Sequence, residues 1–277
     1  RLDTLPRDGH ENRMSLGVGV LAAGQGTRMR SALPKVVHPL AGRPMVGWVL
    51  DALDGAGVAH TVVVVGHGAE VVRDALPAGV AVTVQEEQLG TGHATQVGLA
   101  ALDPSCDAVI VACGDTPLLP SDLVARMVSE HGAASRAATM LTAVVEDAAA
   151  YGRVVRAADG TVARVVEARD ASPEELAIGE YNAGLYVFDR AALEDALGGL
   201  GSGNAQGEIY LTDVLERFEG TVAAVVADDP LVAAGVNDRV DLSVCEAALQ
   251  RRIRAEPTRR RGPISPPGGG LGGGGGA

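Results

Sequence analysis

Residues 16–131 alternate short apolar runs with segments of helical spacing, and several of the junctions carry glycine. Leu16–Ala23, Thr61–Val65, Val80–Val84 and Ala108–Ala112 are rich in Val and Ala and show no polar alternation. That is the pattern of strands buried on both faces. Pro44–Gly57, the stretch after Gly68 to Leu76, Gly92–Leu102 and Ser121 to about His131 read as the intervening helices, the last capped by Ser121. Such alternation predicts parallel strands with helices on both faces, and a ligand site at the carboxyl ends of the strands. Gly24–Gly26, Gly66–Gly68 and Cys113–Asp115 all fall at such ends, so three loops converge on one edge.

The pattern changes after residue 137. Ala138–Val145, Val154–Arg156, Val162–Val166 and Tyr181–Phe188 read as strands, with Asp159-Gly160 as a hairpin turn. Helices are expected at 190–197 and 208–217, a strand at 221–226 and a helix near 239–253. The expected fold is α/β, Rossmann-like: a mostly parallel mixed sheet, helices on both faces, and a small β-hairpin lobe covering a substrate beside the nucleotide. The expected boundaries are a polar N-terminal extension over 1–15 (Met14 stands just before the first strand), a folded unit over 16–253, and a disordered Arg/Pro/Gly-rich tail over 254–277.

Charge narrows the partners. The net charge is −12, but residues 251–261 hold six arginines and one glutamate, so residues 1–250 carry −17. An acidic body disfavours nucleic acid, and an aromatic content of 3% weighs against base-stacking platforms. A small phosphorylated substrate remains compatible where a few cations and a divalent metal are focused in a site. The three cysteines form no CxxC pair, which points to reduced thiols in the cytoplasm. No apolar run is long enough for a membrane span.

Gly24-Gln25-Gly26-Thr27-Arg28 lacks both the Walker A and the GxGxxG spacing. Its bland reading is a tight strand-to-helix turn; with Arg28 and Lys35 alongside, it reads as a phosphate cradle of backbone N–H groups. In Gln85–Ala94, the Gln85 amide matches a pyrimidine imide edge, Gly90 permits close backbone approach, and Thr91 offers a hydroxyl or a helix cap. His93 is given no role. Asp115, after a buried strand, is either a Mg²⁺ ligand or a turn former before Pro117.

Taken in order, LAAGQGTRM (21–29), LPKVVHPLAGRPM (33–45), EEQLGTGHA (86–94), GDTPLL (114–119), YGRV (151–154), YNAGLYVF (181–188), NAQGEIYLTD (204–213) and GVNDR (235–239) resemble one family. This is the pyrophosphorylase domain of bifunctional N-acetylglucosamine-1-phosphate uridyltransferase/glucosamine-1-phosphate acetyltransferases. The resemblance implies transfer of UMP from UTP to N-acetylglucosamine 1-phosphate, with Mg²⁺ as cofactor. Leu21, Ala22, Ala23, Gly24, Gln85, Gly90 and Thr91 would hold the nucleotide. Arg28 and Lys35 would neutralise the triphosphate, and Asp115 with Asn237 would bind the metal. Cys113, Gly114, Gly152, Glu167 and Asn182 would line the sugar side. Two departures stand out. Cys113 occupies a place where the family often has Tyr. Residues 256–277 carry no hexapeptide repeat, so acetyl transfer and trimerisation are not expected. A related nucleotidyltransferase with another sugar or base, or a weakly active sugar-nucleotide-binding protein, stays open at this point.

Overall fold

In the computed structural model, which describes residues 14–58, 60–218 and 221–260, the apolar runs become strands of one sheet. The first half runs β1 (Leu16–Ala22), a small β2/β3 ribbon (Pro39–Leu40, Arg43–Pro44), α1 (Met45–Asp54), β4 (His60–Val65), α2 (Ala69–Ala75), β5 (Ala81–Val84), α3 (Thr91–Ala101), β6 (Ala108–Cys113) and α4 (Ser121–Gly132). The second half adds β7 (Ala138–Val144), β8 (Arg153–Arg156), β9 (Val162–Val166), α5 (Pro173–Leu176), β10 (Glu180–Asp189), α6 (Arg190–Gly198), β11 (Val222–Val226) and α7 (Arg239–Arg260). Among the described residues, no helix is long and apolar enough to cross a membrane.

The strand order is β11-β7-β10-β6-β1-β4-β5, with the β8/β9 hairpin branching from β10. The pairs β5–β4, β4–β1, β1–β6 and β7–β11 are parallel. β10 runs antiparallel to both its neighbours, β6 and β7. This reversal positions the site. At the edge where the parallel strands finish, β10 begins, so Asn182 at its start shares an edge with Cys113 at the end of β6.

Side chains alternate across the sheet and fill a core on each face. Ala108, Ile110 and Ala112 of β6 join Val18, Val20, Val49 and Val124 on one face; Val109 and Val111 join Leu99, Phe188 and Leu193 on the other. A third cluster lies beneath the loops: Met29, Leu40, Met45, Leu118, Val236, Cys245 and Leu249, with Trp48 packed against it.

The structure corrects several local expectations. Ser121 does not cap α4: it is the first helical residue and its side chain packs against Gly55 at the end of α1. Thr91 likewise opens α3 rather than capping it, because its Oγ1 accepts the Leu211 N–H (3.0 Å). Residues 208–217 are not one α-helix. Ile209 bonds to the 89–92 loop, and Leu211–Arg217 winds as a 3-10 helix whose Leu211, Val214 and Leu215 are buried. α7 passes residue 253 and continues to Arg260; Arg251, Arg252, Arg254, Ala255 and Glu256 favour the helix as far as Pro257. Residues 1–13 and 261–277, including most of the expected extension and tail, lie outside the described residues.

Candidate active site

β1 ends at Ala22 and the chain turns through Gly24–Gly26. Gly26 is left-handed (φ 62°), and a Cβ there would sit 2.7 Å from the Lys35 Cβ. The missing side chain lets the Lys35 stem lie against the loop. Lys35 opens a 3-10 turn fixed by buried Val36 and Val37, and its Nζ pairs with the Asp115 carboxylate. Both partners are largely sheltered, 15% and 19% exposed, so solvent screens this pair less than a surface one. Arg28 stands on the turn Thr27–Met29, pinned by the fully buried Met29 and by Arg239, which donates to the carbonyls of Met29 and Arg30 (3.0 Å each). Its Nη2 donates to Asn237 Oδ1 at 2.9 Å.

Asp115 and Asn237 are brought together by backbone pairing, since Val236 N donates to Asp115 O at 2.8 Å. Asn237 N donates to Asp241 Oδ2 (2.8 Å) and its Nδ2 to Gly235 O (3.2 Å), which leaves Oδ1 facing the cationic side. The Tyr151 hydroxyl accepts from Gly235 N (2.9 Å) and donates to Gly235 O (3.1 Å). Burial pushes its phenol up to about 12, so it keeps the proton it donates.

A cavity of about 550 Å³ opens beside these groups. Leu21, Ala22, Ala23, Gly24, Lys35, Gln85, Gly90, Thr91, Cys113 and Asp115 all line it, together with Gln25, Thr27, Gln88 and Glu208. Gln85 is buried, and its Nε2 donates to Gly90 O (3.1 Å) and faces His93 Nδ1 (3.1 Å). The amide donor expected to read a base is therefore engaged in shaping its own loop. His93, given no role from sequence, helps to hold that loop through Glu87 O (2.9 Å).

The loop is closed from the second half of the chain. Ile209 N donates to Leu89 O (2.7 Å) and Gly92 N to Ile209 O (2.8 Å). Gly90 has φ 109° and ψ −179°, backbone that only glycine adopts readily, and a Cβ there would meet Ile209 O at 2.6 Å. Sequence reasoning missed Glu208 and Gln88. Their signal was present in the NAQGEIYLTD and EEQLGTG stretches, but the contact joining those stretches is long-range.

Glu167, expected on the sugar side, faces a second cavity of about 700 Å³ with Arg164, Asp170, Asn204, Tyr210 and Asp213. Burial holds the Glu167 carboxyl above its ordinary range, against a bond from Thr212 Oγ1 (3.2 Å) that favours the charged form. Gly152 lies against Glu167 and accepts from Asn182 N (2.9 Å); Asn182 Oδ1 accepts from Gly184 N (3.0 Å). Cys113 faces Gly184, and burial pushes its thiol up to about 12, so it is a neutral wall atom. Gly114 continues the β1–β6 ladder through Leu21 O (2.9 Å). Arg28 and Asn237 line neither cavity, and nor do Gly114, Gly152 and Asn182. The last three back the site and do not form its surface.

A glycine-built cavity flanked by a lysine, an arginine, a carboxylate and an amide oxygen, at the carboxyl edge of a mostly parallel sheet, defines a nucleotide-handling α/β enzyme. The chain matches the MobA-like NTP transferase domain over residues 18–218 and belongs to that family of nucleotidyltransferases. It is 51% identical over 236 residues to the bifunctional protein GlmU of Exiguobacterium sp., covering 84% of this chain and 52% of that relative. It is 48% identical to GlmU of Trichlorobacter lovleyi (86% and 53%) and 47% identical to GlmU of Mycolicibacterium gilvum (87% and 51%). The chain thus spans about half the length of the curated relatives it matches.

Nucleotidyltransferases of this kind generally use a divalent metal. The donor set here fits one. Asp115 and Asn237 Oδ1 offer hard oxygens, and each already attracts a cationic group, Lys35 and Arg28 respectively.

Proposed function

We propose that the chain transfers UMP from UTP to N-acetylglucosamine 1-phosphate, giving UDP-N-acetylglucosamine and pyrophosphate, with Mg²⁺ as the metal. The observation that carries this reading is the meeting of Lys35 and Arg28 with Asp115 and Asn237 beside a cavity lined by Leu21–Gly24, Gln85, Gly90 and Thr91. The motif resemblance supplies the base and the sugar.

An oxygen of the sugar phosphate attacks the α-phosphorus in line. The new P–O bond forms as the α–β P–O bond breaks, and pyrophosphate leaves with the electron pair. A phosphate monoester is mostly dianionic at neutral pH (second pKa about 6), so no side chain has to remove a proton. The protein contributes position and charge. Backbone at the end of β1 and the Gly90 loop holds the nucleoside. Lys35 and Arg28 exchange their internal partners for phosphate oxygens, which frees Asp115 and Asn237 Oδ1 to hold the metal. When bound, Mg²⁺ supplies positive charge to the phosphate oxygens. Glu167, backed by Gly152 and Asn182, meets the sugar.

Pyrophosphate release by the purified chain, across UTP and CTP with several hexose and hexosamine 1-phosphates, tests the reading. Turnover is expected with UTP and N-acetylglucosamine 1-phosphate. Turnover with another pair and none with this one would overturn it.

A further inference from the structure

We propose that Tyr151 is a positioning residue for the metal-side loop, setting the orientation of Asn237 through Gly235. This rests on the reading of Asn237 as a metal ligand. One hydroxyl satisfies both backbone polar groups of Gly235, accepting from its N–H at 2.9 Å and donating to its C=O at 3.1 Å. The same carbonyl accepts the Asn237 Nδ2 at 3.2 Å. The phenol and the Asn237 amide therefore share one acceptor, and the bond to Gly235 O is what turns Asn237 Oδ1 toward Arg28. Gly235 also lies beside the Asp115 carboxylate, a methyl built on it falling 3.5 Å from Oδ1. Any drift of Gly235 moves both oxygen donors' surroundings at once.

Tyr151 is itself held firmly. Its ring packs on Tyr181 (centroids 4.5 Å apart), whose hydroxyl donates to Pro230 O at 3.2 Å. The segment leading into it is gathered by Arg153, which is 2% exposed and donates to the carbonyls of Ala148 (3.4 Å), Ala149 (3.1 Å), Leu176 (3.4 Å) and Tyr151. Among the described residues this buried guanidinium has carbonyl partners and no carboxylate. Burying a charge among dipoles alone is costly, and what the cost secures here is the position of the Tyr151 backbone. A line of contacts thus runs from the hairpin lobe to the metal-side loop: Arg153, Tyr151, Gly235, Asn237.

The test is Tyr151→Phe, which keeps the ring and deletes the hydroxyl, with Tyr181→Phe as a control on the other side of the same ring pair. Amide exchange of residues 234–238 in metal-free protein should quicken by about tenfold, the equivalent of one lost hydrogen bond. The Mg²⁺ half-saturation should rise by a similar factor, while kcat at saturating metal stays within about twofold. Mn²⁺ binding to the protein–UTP complex, followed by electron paramagnetic resonance, should weaken in step. Tyr181→Phe should leave all three unchanged. Wild-type exchange and metal dependence in Tyr151→Phe, or equal effects from both variants, overturn the proposal. Asn237→Ala separates the two levels. If it leaves metal dependence unchanged, the ligand reading fails and the role of Tyr151 fails with it. If it shifts metal dependence and Tyr151→Phe does not, the role of Tyr151 alone fails.

Discussion

On the side proposed to hold the nucleotide, Leu21–Gly24, Lys35, Gln85, Gly90 and Asp115 come from the first half of the chain, at the last residues of strands or in the turns that follow them. On the side proposed to take the sugar, the β8/β9 hairpin brings Gly152 and Glu167 together, and Asn182 joins them from the reversed strand β10. The first wall combines glycine and alanine backbone with the Lys35, Gln85 and Asp115 side chains. The second is a buried acid that accepts a hydrogen bond from Thr212 Oγ1. Under the proposed function the two walls divide the labour: charge and phosphate geometry on one, recognition of the acceptor on the other.

Substitutions on the two walls test that division. Asp115→Asn removes the carboxylate partner of Lys35 and a metal oxygen's charge. kcat should fall on the order of 10²–10³-fold in a pyrophosphate-release assay, with the circular dichroism spectrum retained. A fall in sugar affinity with kcat intact would erase the division. Gly90→Ala forces a Cβ to within 2.6 Å of Ile209 O from backbone that only glycine adopts readily. It should destabilise the fold by roughly 1–3 kcal/mol in denaturant titration and raise the KM for UTP. Unchanged stability would mean that the seam between 89–92 and 209–211 gives way without strain.

Glu167→Gln should act mildly and on the acceptor alone, raising the KM for the sugar phosphate roughly tenfold with the metal dependence unchanged. It also has a pH signature. Burial raises the folded-state pKa of Glu167 above its ordinary 4.5. From pH 4.5 up to that raised value the native chain holds more protons than the unfolded one, so this group's contribution to stability falls as pH rises. Glu167→Gln should remove that slope and raise the melting temperature at neutral pH. A lower melting temperature at pH 7 would show that the Thr212 bond outweighs the burial.

The strands and loops of the first wall were legible in sequence because their signals are local. A continuous Val/Ala run, a glycine at its end and a cation a few residues on are all visible within a short window. What was not legible depended on contacts between distant segments. Thr91 looks like a helix cap until Leu211 claims its hydroxyl, and 208–217 looks helical until Ile209 pairs with Leu89 and Gly92. The Gln85 amide looks free to read a base until its bond to Gly90 O is seen. Nothing local to YGRV signals that Arg153 is buried among carbonyls. The β10 reversal, which brings Asn182 to the second wall, has no local signature at all.

The third apolar cluster has a practical consequence. The chain contains one tryptophan, Trp48, and it packs against the cluster that includes Met29, Leu118 and Val236. Met29 adjoins Arg28, Val236 adjoins Asn237, and Leu118 closes the loop that starts at Asp115. The indole is fixed by a bond from Nε1 to Leu40 O (3.0 Å) and by the Arg43 guanidinium 4.6 Å from its ring. A single intrinsic fluorophore thus lies under the loops that carry Arg28, Asp115 and Asn237, the residues proposed to exchange partners on substrate binding. Its emission offers an unlabelled optical record of each binding step, free of interference from any second indole.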